Sequence, residues 1–197
     1  MTSALRLQSD AELLRALAAA SHGRVEFEVL PVEARPEVVA GFTCITAGSP
    51  RYPEQRESRV VVHVALPERY PFMAPVATVR TPIYHPNVYA SGVICLGTRW
   101  IAAQGLDIFV QRLLRLVTFD PLLVGTASPA NRDAAAWYEQ RKHEFPGAFP
   151  TDRFAADQLV EKIVRSCPEC GSQLRLPRGR SGTVRCPACA SEFQAQS

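Results

Sequence analysis

Charge of one sign is scarce in this chain. Lys plus Arg number 22 against 19 Asp plus Glu, a formal net charge of +3. The basic residues are scattered, so the sequence carries no electrostatic footprint for nucleic acid. No apolar run approaches the roughly eighteen residues that a membrane span needs. The opening stretch MTSALRLQSDAELLRALAAASHGR has acids inside its apolar part, which predicts an amphipathic helix rather than a signal peptide. Low complexity is excluded as well: 16 prolines and 11 glycines in 197 residues are too few, and the prolines are expected at turns and element ends. The expected compartment is the cytoplasm, where thiols stay reduced, so the 6 cysteines ask for a role other than disulfides.

What is present is globular: 47% apolar and 21% charged residues, at a length that suggests one main domain and a small extra one. Four cysteines fall near the C-terminus and two, Cys44 and Cys95, stand alone. This division places a boundary near Ser166, giving domains 1–165 and 166–197. Leu13, Leu14, Leu17 and Ala18 recur at helical spacing after Ser9 or Asp10 as a cap, which predicts a helix over 11–20. Strands are expected over 25–29, 38–47, 59–66 and 76–81. Four successive strands without an intervening helix predict an antiparallel meander and an α+β fold. Between Thr81 and Gly105 no periodicity holds, and a long irregular stretch in a compact domain is a functional loop by default. Helices are expected over 106–119, ended by Asp120-Pro121, over 131–145, and over 152–165.

The tail carries Cys167-Pro-Glu-Cys170 and, fifteen residues on, Cys186-Pro-Ala-Cys189. Two residues between cysteines let a tight turn aim both thiolates at one ion, and two such turns complete a tetrahedron. Four protein ligands leave no open position, so the expected zinc is structural. Short strands are expected over 173–176 and 183–185, joined by Pro177 to Gly182. Arg175, Arg178, Arg180 and Arg185 are the tail's basic residues; with so little charge, protein contact rather than nucleic acid is the expected use of this ribbon.

Tyr70-Pro-Phe-Met-Ala-Pro75, then Tyr84-His-Pro-Asn87, then Gly92-Val-Ile-Cys95-Leu stand in order, with Cys95 eight residues after Asn87. A cysteine thiolate forms thioesters readily, and a thioester retains the free energy to acylate an amine later. On an irregular loop such a nucleophile is reachable by a bulky partner. The order and spacing of these segments, with Trp100 and Asp120-Pro121 following, resemble the catalytic core of a ubiquitin-conjugating enzyme over about 4–145.

The resemblance implies an acyl (aminoacyl) transferase. Cys95 would take a ubiquitin-like modifier from an activating enzyme as a thioester and pass it to a lysine of a target. Asn87 would stabilise the oxyanion or order the loop, and Ser128, just before Pro129, would stand at the gate for the incoming amine. Tyr84, His85 and Pro86 would shape the loop. Phe72 with Ile101 and Ala102 would form a two-loop surface for a ligase, and Arg6 and Arg15 on the first helix would meet the activating enzyme. The loop between Asp120 and Tyr138 is longer, and that between Cys95 and Trp100 shorter, than is common in the family. With its ribbon the chain is similar to bacterial members. A ligase or adaptor would dock through the ribbon; membrane and nucleic acid are not expected partners. The alternative is a non-catalytic module on the same fold that binds a modifier or partner, its ribbon serving as a protein or nucleic-acid adaptor. Cys44 is expected as a small buried residue, and His63 as structural.

Overall fold

The computed structural model describes residues 3–30, 36–97, 100–153, 162–177 and 181–196. It divides into two compact units, Met1–Phe154 and Ala155–Ser197. In the first, helix α1 (Ser3–Ala20) precedes strands β1 (Val25–Leu30), β2 (Glu37–Thr46), β3 (Glu57–Ala65) and β4 (Val76–Val79), followed by helices α2 (Leu106–Val117) and α3 (Arg132–Glu144). The strands pair antiparallel in the order β1-β2-β3-β4, the meander that their sequence spacing predicts. No helix among the described residues is long and apolar enough to cross a membrane.

Alternation sets which face is covered. Val38, Ala40 and Phe42 of β2 and Val60, Val62 and Val64 of β3 are buried, as are Leu14 and Leu17 of α1 and Leu113, Leu114 and Leu116 of α2. Burying each such side chain is worth about 1.5–3 kcal/mol. The outer sheet face keeps polar residues, among them a His63 Nδ1–Glu37 pair at 2.8 Å. Cys44 is buried on the core face. Burial, with Asp152 adding and Arg24 opposing, pushes its thiol up to about 12, which leaves it inert.

Two helix boundaries differ from expectation. α1 begins at Ser3, so Ser9 and Asp10 are interior, not caps. Arg6, Asp10, Leu14 and Leu17 share one buried stripe at helical spacing. Asp10 caps a different helix: its Oδ1 accepts from Leu106 N at 3.1 Å, where α2's own N-cap, Gly105, provides no side-chain bond. α2 stops before Phe119, which takes φ +60°. Phe119 N donates to Leu116 O and Asp120 N to Arg115 O, the paired bonds of a Schellman motif, with phenylalanine where glycine is usual. Ring packing, stacked on Tyr138 and tilted against His85 and Phe149, offsets the strain. α3 starts as expected, with Asn131 Oδ1 accepting from Ala134 N at 3.0 Å.

The second unit corrects the tail. The helix expected over 152–165 is not formed where the chain is described: Lys162–Ser166 is strand β5, and 154–161 lie outside the described residues. β5 pairs with β6 (Gln173–Pro177), and β7 (Ser181–Arg185) pairs with β8 (Glu192–Gln196). The strands on either side of Pro177 and Gly182 are therefore not partners; 178–180, with Arg178 and Arg180, lie outside the described residues. Each Cys-x-x-Cys turn is instead the tip of its own hairpin, because the turn that aims two thiolates inward also reverses the chain. Ser166, the expected boundary, falls inside the first hairpin.

Candidate functional site

The Cys95 segment is a short hairpin laid along the edge of β4. Ile94 N donates to Ala77 O and Val79 N to Gly92 O, both at 2.9 Å. The turn closes through Gly92 N to Tyr89 O and Tyr89 N to Val93 O, and its base through Cys95 N to Asn87 O at 2.8 Å. The eight-residue spacing is thus the register of a hydrogen-bonded pair. Gly92 has φ +83°, and a Cβ there would meet Val79 O at 2.8 Å, so the turn and the close approach both require glycine.

Asn87, buried, holds the loops on either side of Cys95. Its Nδ2 donates to Cys95 O at 2.9 Å, and its Oδ1 accepts from Gly125 N at 2.9 Å. One Nδ2 proton remains for another acceptor. Asn87 N in turn donates to His85 Nδ1 at 3.0 Å, which fixes the neutral ring with its proton on Nε2. Burial lowers the His85 imidazole to about 3, with only the Leu116 backbone opposing; Nε2 itself has no partner within hydrogen-bonding geometry. A base this weak is no proton acceptor at neutral pH, which agrees with a loop-shaping residue. Pro86 O accepts from Asn131 N, and Tyr84 N donates to Ala47 O. The Tyr84 ring meets Trp137 edge-on at 5.2 Å. Cys95 itself is partly exposed. Ser128 is exposed on the loop before α3, and among the described residues no hydrogen bond joins it to Cys95 or Asn87.

Phe72 and Ile101 stand out from their loops, 78% and 62% exposed. Trp100 stitches the two loops together: its Nε1 donates to Pro71 O at 2.6 Å, and its ring packs on Tyr70 and Phe109. Ala102 contributes its carbonyl to Arg6 Nη1 at 2.8 Å. Here the structure corrects an expectation. Arg6 is buried, with Nε on Asp10 Oδ2 at 2.7 Å and a further bond to Gln104 O, while Tyr70 Oη donates to the same Asp10 oxygen at 2.5 Å. Burial pulls its charge down, and Asp10 and Tyr70 more than reverse that. A guanidinium so engaged ties α1 to both loops and offers nothing to an incoming protein; Arg15 alone of the pair is exposed. Arg6 and Asp10 stand at core positions of an otherwise apolar stripe, and that is the sequence signal for this network.

A partly exposed cysteine thus lies in register with a buried asparagine that holds the neighbouring loops. The family model for ubiquitin-conjugating enzyme matches residues 39–149, more than half of the chain. The chain belongs to the ubiquitin-conjugating enzyme family. It is 46% identical over 104 residues to ubiquitin-conjugating enzyme E2 T of Homo sapiens, covering 53% of this chain and 51% of that protein. To E2 T of Mus musculus it is 35% identical over 118 residues, covering 56% and 57%. To ubiquitin-conjugating enzyme E2 of African swine fever virus it is 29% identical over 115 residues, covering 53% and 51%. The chain spans about half the length of these curated relatives. Among solved structures, S. cerevisiae Ubc12 matches at 20% identity and a TM-score of 0.46, covering 65% of this chain and 70% of that one.

The family match stops before the tail, whose four cysteines form a separate site. Their sulfurs all lie within 4.8 Å of one another. Cys167 Sγ–Cys189 Sγ and Cys170 Sγ–Cys186 Sγ are each 3.7 Å. A tetrahedron with metal–sulfur bonds of about 2.3 Å has edges of about 3.8 Å, so the donor set fits one zinc ion. The two hairpins repeat each other. Cys167 N donates to Ser172 O and Gly171 N to Cys167 O, and Cys186 N and Ala190 N do the same with Ser191 O and Cys186 O. Each serine hydroxyl also meets sulfur, Ser191 Oγ lying 2.9 Å from Cys189 Sγ and Ser172 Oγ 3.2 Å from Cys170 Sγ. The repeat therefore extends beyond the cysteine pairs that the sequence shows.

Proposed function

We propose that this chain carries a ubiquitin-like modifier as a thioester on Cys95 and transfers it to a lysine amine. The observation that supports this most directly is the Cys95 O–Asn87–Gly125 N chain of bonds, which holds a reachable thiol between two loops with an amide proton to spare. In loading, the Cys95 thiolate attacks the thioester carbonyl presented by an activating enzyme; a new C–S bond forms and the donor thiolate leaves. In discharge, the amine nitrogen attacks the same carbonyl carbon, the C–S bond to Cys95 breaks, and the amine proton passes to solvent. Asn87 orders the loop and steadies the oxyanion of the second step. Ser128 is the exposed hydroxyl on the amine's approach. Phe72 and Ile101 receive a ligase, Arg15 meets the activating enzyme, and the ribbon, folded around one structural zinc on Cys167, Cys170, Cys186 and Cys189, docks a partner or substrate.

With activating enzyme, ATP and modifier, wild-type protein is expected to form an adduct that thiols cleave, Cys95→Ser at most a thiol-resistant ester, and Cys95→Ala none. Asn87→Ala loads normally and discharges to lysine on the order of a hundredfold more slowly, read as single-turnover loss of the preformed thioester. An adduct that persists in Cys95→Ala sinks the proposal and leaves the non-catalytic module. Discharge at the wild-type rate in Asn87→Ala removes Asn87 from the transfer step.

A further inference from the structure

The four-cysteine site treats its sulfurs in two ways. The first cysteine of each hairpin, Cys167 and Cys186, is buried, and the second, Cys170 and Cys189, is exposed. The buried sulfurs are served by backbone: the amides of Glu169 and Cys170 donate to Cys167 Sγ, and those of Ala188 and Cys189 to Cys186 Sγ. Each exposed sulfur is met by a serine hydroxyl, Ser172 Oγ lying 3.2 Å from Cys170 Sγ and Ser191 Oγ 2.9 Å from Cys189 Sγ. Cys170 Sγ takes the Ser172 amide as well. Both serines are also fixed through their carbonyls, which accept from the first cysteine of the same hairpin, Cys167 N to Ser172 O at 2.9 Å and Cys186 N to Ser191 O at 2.8 Å. One residue therefore bridges both cysteines of its hairpin. Ser191 Oγ reaches further, to 3.5 Å from Cys167 Sγ of the other hairpin.

We propose that Ser172 and Ser191 are positioning residues of the zinc site: each donates its hydroxyl to the solvent-facing thiolate of its own hairpin, and the pair sets how tightly the ion is held and how slowly those sulfurs react. The inference rests on the zinc reading of the four cysteines and deepens it. A cysteine loses its proton to ligate a metal, so a ligating sulfur can only accept, and the hydroxyl is the donor. Four thiolates around one divalent ion carry an excess of negative charge. Backbone amides offset it at the buried sulfurs. At the exposed ones a serine hydroxyl does so through a charge-assisted bond, stronger than a neutral one. Such a donor also draws electron density from the sulfur and lowers its nucleophilicity. The hydroxyl and the carbonyl of each serine are separable, because alanine retains the carbonyl that closes the hairpin and loses only the hydroxyl.

The test uses the full-length protein loaded with zinc, and with cobalt(II) in its place for spectroscopy. Competition with a chromophoric chelator is expected to show Ser172→Ala holding zinc about tenfold less tightly than wild type, and Ser191→Ala weaker still, because its hydroxyl reaches two sulfurs. With iodoacetamide a thiolate displaces iodide and a C–S bond forms. Zinc is expected to leave both alanine variants several-fold faster under this reagent, read by a metal indicator so that alkylation of Cys95 does not count. The sulfur-to-cobalt charge-transfer band is expected at longer wavelength in both, since a thiolate without its hydrogen bond gives up electron density more easily. Ser172→Thr and Ser191→Thr, which keep the hydroxyl, are expected to match wild type in all three readings. Alanine variants with wild-type affinity, release rate and spectrum overturn the proposal while leaving the zinc site in place. Threonine variants that fall with alanine overturn it too, since the serines would then act through packing. A change at one serine alone overturns the proposal for the other. Failure of wild type to take up zinc or cobalt overturns the zinc reading itself, and the serine proposal with it.

Discussion

His85 is expected from the resemblance to shape its loop, and its surroundings in the fold suit that and not proton transfer. Its ring is fully enclosed, 4.2 Å from the Phe119 ring, and accepts from Asn87 N. Desolvation holds it at about 3 in the folded state, against about 6.5 in an unfolded chain. The unfolded state therefore binds the extra proton across this interval, and folding stability falls as pH drops below about 6.5, by at most about 1.4 kcal/mol per pH unit for this one group. Carboxylates begin to contribute lower down, and over the window from about 5 to 6.5 the comparison with His85→Gln separates this ring from the other three histidines. Denaturant unfolding measured across that window should show the loss in wild type and a flatter profile in His85→Gln. Equal slopes would mean that the ring is not desolvated as described.

Among the elements, the duplicated hairpins offer a matched pair of substitutions. Gly171 and Ala190 occupy the same place after the second cysteine, at φ +71° and +60°. An L-residue with a Cβ pays about 1 kcal/mol there. Ala190→Gly is expected to tighten zinc binding about fivefold, and Gly171→Ala, where an added Cβ meets nothing within 4 Å, to weaken it by a similar factor. Chelator competition reads both. Opposite signs at the two positions would show that backbone strain and not local packing sets the difference; two changes of the same sign would refute that. In α2 the same logic runs between elements, since Asp10 of α1 provides the cap that Gly105 cannot.

For the whole molecule, the two units differ in what holds them. The first buries two helices against a four-stranded sheet. The second has a core of Cys167, Leu174 and Cys186 with Leu176, Val184 and Phe193 around it. A unit this small does not fold on apolar burial alone, so the zinc ion proposed for its four cysteines would supply its folding free energy. Chelation at neutral pH is expected to melt the hairpins of 162–177 and 181–196 and leave the first unit folded, as seen by hydrogen exchange of the two units. Protection of the tail that survives metal removal would contradict this.

The amino-acid order alone determined the meander, because period-two alternation and the lack of intervening helical segments leave little else for four strands to do. It determined the Asn87–Cys95 spacing and the two cysteine pairs, since short-range geometry sets both. For Arg6 it held only a spacing signal, in step with Leu14 and Leu17: an arginine on a helix is solvated by default, and only the arrival of Asp10, Tyr70 and the Gln104 carbonyl from three places in the chain makes burial cheaper than exposure. Nor could it pair the tail strands, because hairpin choice depends on which turn the sulfurs nucleate.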